Sequence, residues 1–302
     1  MKKTLLVIIG PTAIGKTELA IELAQHFNTE ILSADSRQFY HELNVGVARP
    51  GEQQLKSAQH HFIACRSVRE EYNAGEYEKD ALACLEKIFS KQDVAILIGG
   101  SGLYVRAVCV GFDDLPSGDE LIREQLENEL KEKGLNHLQD ELQKADPEYF
   151  KTADIQNPRR VMRALEVYRR TGKPFSAHHT PAKATRNFHI LKIGLNTDRK
   201  ILYERINQRV DVMFQNGLEE EAKALLPLRS CKAMQTVGYQ ELFNYFEGKI
   251  DKQTTISLIK QHTRNFAKRQ LTWFRKEKDI RWFDSNSEQE IIAHINYEIA
   301  KT

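Results

Sequence analysis

An eight-residue segment constrains the fold of this chain more than any other part of its sequence. It matches the pattern G-x-x-x-x-G-K-[ST] and consists of Gly10, Pro11, Thr12, Ala13, Ile14, Gly15, Lys16 and Thr17. The apolar run Leu5–Ile9 precedes it and apolar residues at helical spacing follow it, as the pattern requires. In that context the segment, called the phosphate loop below, presents backbone N–H groups to a polyphosphate at the positive end of a helix. Lys16 is predicted to reach the terminal phosphate and the Thr17 hydroxyl to bind Mg²⁺; the alternative is a plain glycine-rich turn.

Further short apolar runs alternate with helical patterns along the chain, which predicts an α/β protein with a parallel sheet flanked by helices. The predicted strands are Leu5–Ile9, Glu30–Ser33, Val94–Ile98, His189–Leu195 and Ile280–Phe283. Ligands of such sheets bind outside the carboxyl ends of the strands. Together with the phosphate loop, this pattern predicts a core similar to that of the P-loop NTPases.

The strand pattern stops between Asp119 and Arg186, where the sequence is helical, charged and rich in Leu, Glu and Arg. We therefore predict a helical insertion domain at residues 119–187. Residues 1–118 and 188–302 are predicted to form the catalytic core. Helical spacing returns near residues 198–216, 217–226 and 251–277.

Composition excludes several classes of protein. With 41% hydrophobic and 28% charged residues, the chain can bury a large core, which argues against disorder. Its four cysteines form no CxxC pair, so we expect neither a zinc site nor a secretory disulfide framework. Since no apolar run is long enough for a membrane span or a signal peptide, we expect an unprocessed, soluble, cytoplasmic protein.

The formal net charge of +2 conceals opposed segments. Residues 119–150 hold 10 acidic and 4 basic side chains, a balance of −6. Residues 151–200 hold 12 basic and 3 acidic side chains, which gives +9, and residues 251–282 hold 9 and 3, which gives +6. Basic stripes of this kind suit an RNA backbone, although a solvated helix face is the alternative. The members of the two stripes are Arg159, Arg163, Arg169 and Arg170 in the first, and Lys260, Arg264, Lys268 and Arg275 in the second.

Two polar positions follow predicted strands at the same edge of the sheet as the phosphate loop. Asp35 follows the second strand and could accept a proton from an attacking nucleophile, or it could merely cap a helix. Ser101 lies in the glycine-rich turn after Val94–Ile98, where an ATPase would carry a carboxylate for Mg²⁺. The missing carboxylate weakens an ATPase interpretation. A tight strand-to-helix turn is the alternative explanation of that segment.

Arg205 and Arg209 stand one helical turn apart and could clamp a diphosphate. The alternative is surface pairing with Glu204 or Asp211. The adjacent histidine pairs, at residues 60–61 and 178–179, lack a carboxylate at metal-ligand spacing. We expect these histidines to be hydrogen-bonded or exposed to solvent.

Taken together, these residues resemble the tRNA dimethylallyltransferases, the bacterial enzymes that prenylate the adenine next to the anticodon. The matching segments run in family order over nearly the whole chain. They are Gly10–Thr17, Ser33–Gln38, Gly46–Pro50, His60–Ile63, Gly99–Tyr104, Asn157–Glu166, Arg205–Arg209, Val237–Tyr239 and Arg269–Arg275. Ile14, Val47, Ala64 and Ser101 depart from the usual family pattern. The set as a whole is very specific, whereas the phosphate loop alone is not.

The resemblance implies a particular ligand and particular roles. The phosphate loop, with Arg205 and Arg209, would bind the diphosphate of dimethylallyl diphosphate in the presence of Mg²⁺. Asp35 would take the N6 proton of the target adenine, and Ser101 would assist at the reacting carbon. The helical insertion would hold the anticodon stem-loop. The implied tRNA contacts are Asp35, Ser36, Arg37, Gln38, Ser101, Arg123, Arg159, Arg160, Val161, Met162 and Arg163.

The implied reaction transfers a dimethylallyl group to N6 of adenine 37 in tRNAs that read codons beginning with U. Its products are N6-dimethylallyladenosine and diphosphate, and the expected enzyme is a monomer. Two other functions stay open from the residues alone. A P-loop small-molecule or nucleoside kinase would use the same loop on ATP, and a non-catalytic RNA-binding protein would bind tRNA without forming a product.

Overall fold

The computed structural model describes residues 2–111, 115–116, 118–178 and 185–301. The strands are β1 (Thr4–Ile9), β2 (Ile31–Ser33), β3 (His60–His61), β4 (Val94–Gly99), β5 (His189–Asn196) and β6 (Ile280–Asp284). They form one sheet in the order β3-β2-β4-β1-β5-β6. Every pair of neighbours in it is parallel. The predicted α/β class with a parallel sheet is therefore confirmed.

Each predicted strand corresponds to an observed one, whereas β3 was missed. The continuous apolar runs are explained by burial, because every residue of β1 and β4 is buried. β3 is only two residues long, its residues are both histidines, and it lies at the edge of the sheet. A strand this short and polar carries no apolar run that a sequence pattern could detect.

α-Helices connect the strands along the chain. They are α1 (Lys16–His26), α2 (Glu52–Ser57), α3 (Ala74–Phe89), α4 (Gly102–Val110), α5 (Glu120–Ala145), α6 (Pro147–Thr152), α7 (Pro158–Thr171), α8 (Arg199–Gln215), α9 (Leu218–Leu225), α10 (Tyr239–Phe246), α11 (Lys252–Phe274) and α12 (Glu288–Ala300). Local signals start several of them. Asn73 and Glu76 form a capping box at α3, and the Asn157 side chain caps α7 with Pro158 at its first position. Among the described residues, no helix combines the length and the apolar character needed to cross a bilayer.

The chain divides into two compact units. Unit 1 comprises Met1–Cys109 and Arg186–Thr302, and unit 2 comprises Val110–Thr185. The sequence had placed the insertion at residues 119–187. The core of unit 1 surrounds the sheet and includes Leu6, Ile8 and Ile96. Unit 2 has its own apolar core, in which Leu138, Leu142 and Leu165 are fully or almost fully buried.

Arg186 joins the two points at which the chain leaves and re-enters unit 1. Its guanidinium donates to the carbonyls of Val108 (2.8 Å) and Ala107 (2.7 Å) in the last turn of α4. It also pairs with Glu78 of α3 at 2.7 Å, and the Arg186 side chain is only 11% exposed. Carbonyls at the end of a helix lack partners within it, and a cation there satisfies both their hydrogen bonding and the helix dipole.

Within unit 2, one member of the predicted basic stripe of α7 forms ion pairs with a neighbouring helix. Arg169 makes four hydrogen bonds of 2.5–2.9 Å to the carboxylates of Glu129 and Glu141 on α5. These hydrogen bonds lower the pKa of Glu129 below its ordinary value. Arg169 therefore ties α7 to α5 and is not a free RNA-binding cation.

Replacing Arg169 with Met should destabilise unit 2, because two half-buried carboxylates would lose the guanidinium that binds both of them. We expect a loss of about 2 kcal/mol in the free energy of unfolding at pH 7, measured by urea denaturation. Since Arg169 lowers the pKa of Glu129, the difference from wild type should shrink as the pH falls and the carboxylates become protonated. The exposed Lys173→Met is the matched control. Equal losses in both variants would show that the Arg169 network contributes nothing specific.

Candidate active site

The phosphate loop leaves the end of β1 through a tight, left-handed path. Ala13 and Gly15 have φ angles of 62° and 97°, and Gly15 caps α1. The end of β5 passes so close that a Cβ on Gly10 would lie 2.7 Å from the carbonyl oxygen of Leu195. Ile14, which departs from the family pattern, is 1% exposed and packs into the core below the loop. The side chain at this departure therefore contributes to the core, and Ile14 also borders the cavity described below.

Lys16 lies folded over the loop. Its ammonium donates to the carbonyl of Pro11 at 2.7 Å. Burial and the nearby Arg209 guanidinium lower the pKa of Lys16 to about 8, while Asp35 and Glu18 partly oppose the shift. An anion placed in this loop would restore the full charge of Lys16. The Thr17 hydroxyl has no hydrogen-bond partner among the described residues, so it is available to a ligand or a metal ion.

Asp35 lies in a turn immediately after β2. One of its carboxylate oxygens accepts a hydrogen bond from the backbone N–H of Arg37 at 3.0 Å, and the segment is a turn and not a helix. The alternative in which Asp35 caps a helix is therefore wrong, because no helix follows. Asp35 does accept a local backbone hydrogen bond, as a capping residue would. The fully buried Tyr77 braces the turn from below, since its hydroxyl donates to the carbonyl of Ser33 at 2.9 Å. Its role was not apparent from the sequence.

The glycine-rich turn after β4 packs directly against the Asp35 turn. A Cβ on Gly99 would lie 2.6 Å from the carbonyl oxygen of Ala34. The Ser101 hydroxyl accepts a hydrogen bond from the backbone N–H of Ser36 at 3.1 Å and donates to the Ser36 hydroxyl at 3.2 Å. Ser101 thus joins the two turns, and its side chain contacts Ser36 instead of lining the cavity described below.

Gln270 connects the phosphate loop to the glycine-rich turn. Its side-chain oxygen accepts from the backbone N–H of Thr12 at 2.9 Å, and its side-chain nitrogen donates to the carbonyl of Gly100 at 3.0 Å. Gln270 is 6% exposed and lies on α11 beside the buried Ala267 and Phe274. Sequence reasoning missed this contact. A polar residue within the apolar face of α11 was the available signal, because buried amides require hydrogen-bond partners.

Arg205 and Arg209 both reach the site from α8. Arg209 donates to the Thr12 hydroxyl at 3.2 Å, and burial lowers its pKa. Arg205 donates to the Ser285 hydroxyl at 3.2 Å. Neither pairs with Glu204 or Asp211, so the alternative of surface ion pairs is wrong for both. Asp211 pairs instead with Lys260, a member of the predicted stripe of α11.

These elements surround a cavity of about 510 Å³ within unit 1. Cations and the phosphate loop form one side, and Asp35 and Gln38 contribute further polar groups. An apolar portion is formed by Val47, Ala48, Pro50, Ile63, Ile98 and Phe266. The loop from Val47 to Pro50 was not predicted to line the site, although it lies within Gly46–Pro50, one of the segments that resemble the family.

Gln38 and the two remaining departures from the family pattern lie beside this cavity. The Gln38 amide donates to the carbonyls of Val47 (3.3 Å) and Ala48 (3.1 Å). Its own carbonyl accepts from the N–H of Ala64 at 2.9 Å. The local hydrogen bonds at Val47 and Ala64 are therefore made by backbone atoms.

The histidines only partly follow the expectation, and His179 lies outside the residues that the structure describes. His61 lies 2.6 Å from a carboxylate oxygen of Glu30. His60 lines the cavity, and its Nδ1 lies 2.9 Å from the carbonyl of Ala58. However, Nε2 of His60 and Nε2 of His178 are buried with no hydrogen-bond partner among the described residues, so the expectation is wrong for these two atoms.

The predicted tRNA contacts in unit 2 differ in whether their side chains are exposed or already form ion pairs within the protein. Arg159 and Arg160 are exposed at the start of α7. Arg123 and Arg163 both pair with the buried Glu166, at 3.1 and 2.8 Å, so their guanidinium groups are already partly engaged.

Two further predicted contacts of α7 lie at its apolar side. Val161 is 1% exposed and belongs to the core of unit 2, and Met162 packs against the same core. A side-chain contact between Val161 and RNA is therefore incompatible with its position. On α11, Lys268 and Arg275 are exposed and free of ion pairs to other described residues, whereas Arg264 bonds to Asn207 at 2.6 Å.

Fold and site together define an α/β protein of the P-loop type whose cavity offers cations and a helix N-terminus to a polyphosphate beside an aspartate. Comparisons with known proteins narrow this class. A family model described as IPP transferase matches residues 38–277. A tRNA dimethylallyltransferase of Christiangramia forsetii is 53% identical over 95% of this chain and 96% of its own length.

Solved structures similar to this chain come from the same family. The full-length tRNA isopentenylpyrophosphate transferase of Bacillus halodurans is 34% identical with a TM-score of 0.73, over 99% of this chain and 97% of that one. A eukaryotic dimethylallyltransferase acting on tRNA is 28% identical with a TM-score of 0.82, over 99% of this chain and 80% of that one. The chain belongs to the IPP transferase family, that of the tRNA dimethylallyltransferases. The family resemblance is thereby confirmed, and a kinase function is not favoured.

The lowered pKa of Lys16 predicts that anion binding depends on pH. As the pH rises through about 8 in the free protein, Lys16 loses its proton, and the affinity for a diphosphate ester should fall by up to about tenfold per pH unit. Calorimetric titration between pH 7 and 9.5 measures this change. Lys16→Met should bind more weakly and show a flat profile over the same range. An unchanged slope in that variant would assign the pH dependence to another group.

Replacing Gln270 with Leu should loosen the phosphate loop, because the N–H of Thr12 and the carbonyl of Gly100 would both lose their partner. We expect a stability loss of about 2 kcal/mol and about tenfold weaker binding of a diphosphate ester. Thermal unfolding and calorimetric titration measure the two effects. The control is the exposed Thr272→Ala on the same helix. Unchanged diphosphate affinity would contradict a link between Gln270 and the loop.

Proposed function

We propose that this protein transfers the dimethylallyl group of dimethylallyl diphosphate to N6 of adenine 37 in tRNAs that read codons beginning with U. The products are N6-dimethylallyladenosine and diphosphate. One observation carries this proposal. The Asp35 carboxylate lies close enough to Lys16 and Arg209 to influence the pKa of both, so a proton acceptor and a diphosphate site share one cavity.

The proposed chemistry uses this juxtaposition. The N6 nitrogen of the adenine attacks the allylic carbon, and the bond from that carbon to the diphosphate oxygen breaks, with its electron pair leaving on the diphosphate. Asp35 accepts the proton from N6 through the carboxylate oxygen that does not hold the Arg37 N–H. The adenine must leave its stack to reach Asp35, which costs a few kcal/mol and less in a single-stranded loop.

Charge stabilisation of the leaving diphosphate comes from groups already in place. The phosphate-loop N–H groups, Lys16 and Arg209 surround the position that this anion would occupy, and Arg205 extends the same cationic side. Mg²⁺, held by the free Thr17 hydroxyl, would neutralise further charge on the diphosphate oxygens. The apolar portion of the cavity suits a five-carbon allyl group, since Val47, Pro50 and Ile98 have hydrocarbon side chains; Arg49, in the same loop, adds a further cation to the lining.

The RNA partner follows from the family and from the exposed cations. Arg159 on α7, Lys268 on α11 and Arg275 just after α11 are members of the predicted stripes that are exposed without an ion pair to another described residue. Arg160, beside Arg159, is also exposed, although its guanidinium lies 4.0 Å from Asp154. We propose that the insertion holds the anticodon stem-loop through the α7 pair. Because tRNA is the partner, we expect the enzyme in the cytoplasm. We also expect a monomer.

One assay tests the proposal against its alternatives. The protein is incubated with radiolabelled dimethylallyl diphosphate, Mg²⁺ and unmodified tRNA, and label is sought in the RNA. Transfer to a wild-type tRNA, and its absence from a tRNA with guanine at position 37, is the expected result. RNA binding without transfer would indicate a non-catalytic RNA-binding protein, and ATP-dependent phosphoryl transfer would indicate a kinase. Either result would overturn the proposal.

Replacing Asp35 with Asn isolates its role as proton acceptor, because the amide oxygen of Asn can still accept the hydrogen bond of Arg37. Turnover should fall by about 10²–10⁴-fold. Affinity for dimethylallyl diphosphate should change by less than about threefold, since the phosphate loop is untouched. Single-turnover kinetics and calorimetry measure the two quantities. Near-normal turnover in Asp35→Asn would exclude Asp35 as the proton acceptor.

A further inference from the structure

One carboxylate outside the cavity holds the loop that forms the apolar side of the cavity. Glu221, on α9, accepts hydrogen bonds from three consecutive backbone N–H groups, those of Asn44 (3.2 Å), Val45 (2.8 Å) and Gly46 (3.0 Å). The hydroxyl of Tyr239 donates to the same carboxylate at 2.6 Å. Four donors therefore converge on one half-buried anion.

The arrangement leaves the loop little freedom. Tyr239 is fully buried, and a Cβ on Gly46 would lie 2.5 Å from its ring. On the far side of the loop, the Gln38 amide binds the carbonyls of Val47 and Ala48. The loop is thus fixed through its N–H groups at one end and through its carbonyl groups at the other.

The charge of Glu221 is not needed to pack α9. That helix is held in unit 1 by the buried Leu218, Ala222 and Leu225, which belong to an apolar cluster with Tyr239 and Leu242. What the carboxylate adds is a defined position for residues 44–46. Residues 47–50, which are Val47, Ala48, Arg49 and Pro50, continue directly from there and line the cavity, whereas Glu221 itself does not line it.

We propose that Glu221 is a positioning residue of the transferase site, which acts through residues 44–50 to set the wall against which the dimethylallyl group packs. This inference rests on the proposed function, because it assigns the wall to the allyl group of that substrate. Charge-assisted hydrogen bonds from a carboxylate to backbone N–H groups are the strong ones of their kind. A wall displaced by about 1 Å would misplace the reacting carbon relative to the diphosphate.

The test compares Glu221→Gln with Glu220→Gln, an exposed neighbour on the same helix. Gln keeps the size of Glu but turns an NH₂ group toward backbone N–H groups. Hydrogen exchange measured by mass spectrometry should show faster exchange at residues 44–46 in Glu221→Gln alone. Calorimetry with dimethylallyl diphosphate, without RNA, should show about tenfold weaker binding in that variant. In steady state, KM for this substrate should rise while KM for tRNA stays within about twofold.

Two results would overturn the proposal. One is faster exchange at residues 44–46 with unchanged affinity for dimethylallyl diphosphate, and the other is the same weakening in Glu220→Gln. If Glu221→Gln does not fold, Tyr239→Phe replaces it, because it removes one of the four donors and keeps the ring. That variant should show about threefold weaker binding, and wild-type affinity in it would equally refute the proposal. If the wild-type protein transfers no label to tRNA, the proposed function fails independently of these binding measurements.

Discussion

The close approach of strand ends at one edge of the sheet is the constraint on which the site depends. β1 meets β5 at Gly10, and β2 meets β4 at Gly99, in both cases with backbone atoms where a Cβ would have to fit. Backbone atoms cannot move aside as the end of a side chain can, so these glycines are sterically required. As a result, the phosphate loop and the Asp35 turn are fixed to the sheet itself. Gln270 then joins the phosphate loop to the glycine-rich turn.

Charge repulsion is a second feature that the packing enforces. Lys16 and Arg209 are brought together in a largely buried place. Burial lowers the pKa of both, and the charge of Arg209 lowers the pKa of Lys16 further. Two like charges so placed raise the free energy of the empty site relative to the site that holds an anion. Folding therefore places the two cations so that binding of a diphosphate relieves their repulsion, which contributes to its affinity. Asp35 and Glu18 moderate this repulsion, so the loop keeps its shape before a ligand enters.

The sequence predicted the parts of the fold that depend on local patterns. Apolar runs located every strand except β3, and the phosphate-loop pattern located Lys16 and Thr17 correctly beside the cavity. It failed where function depends on contacts distant along the chain. Gln270 lies 258 residues from Thr12, and no local spacing could reveal their hydrogen bond. Charge counts likewise cannot distinguish Arg169, whose guanidinium is held in ion pairs within unit 2, from Arg159, which is exposed.

The contacts of Arg186 bear on how such an enzyme could have acquired its insertion. One guanidinium fixes the last turn of α4, where the chain departs from the core, to the residue at which it returns. The two ends of the insertion are thereby held at fixed positions in unit 1, whatever sequence lies between them. A core built in this way can accept insertions of different length or character without a change in the register of β5 against β1. Unit 2 and unit 1 are then free to diverge at different rates.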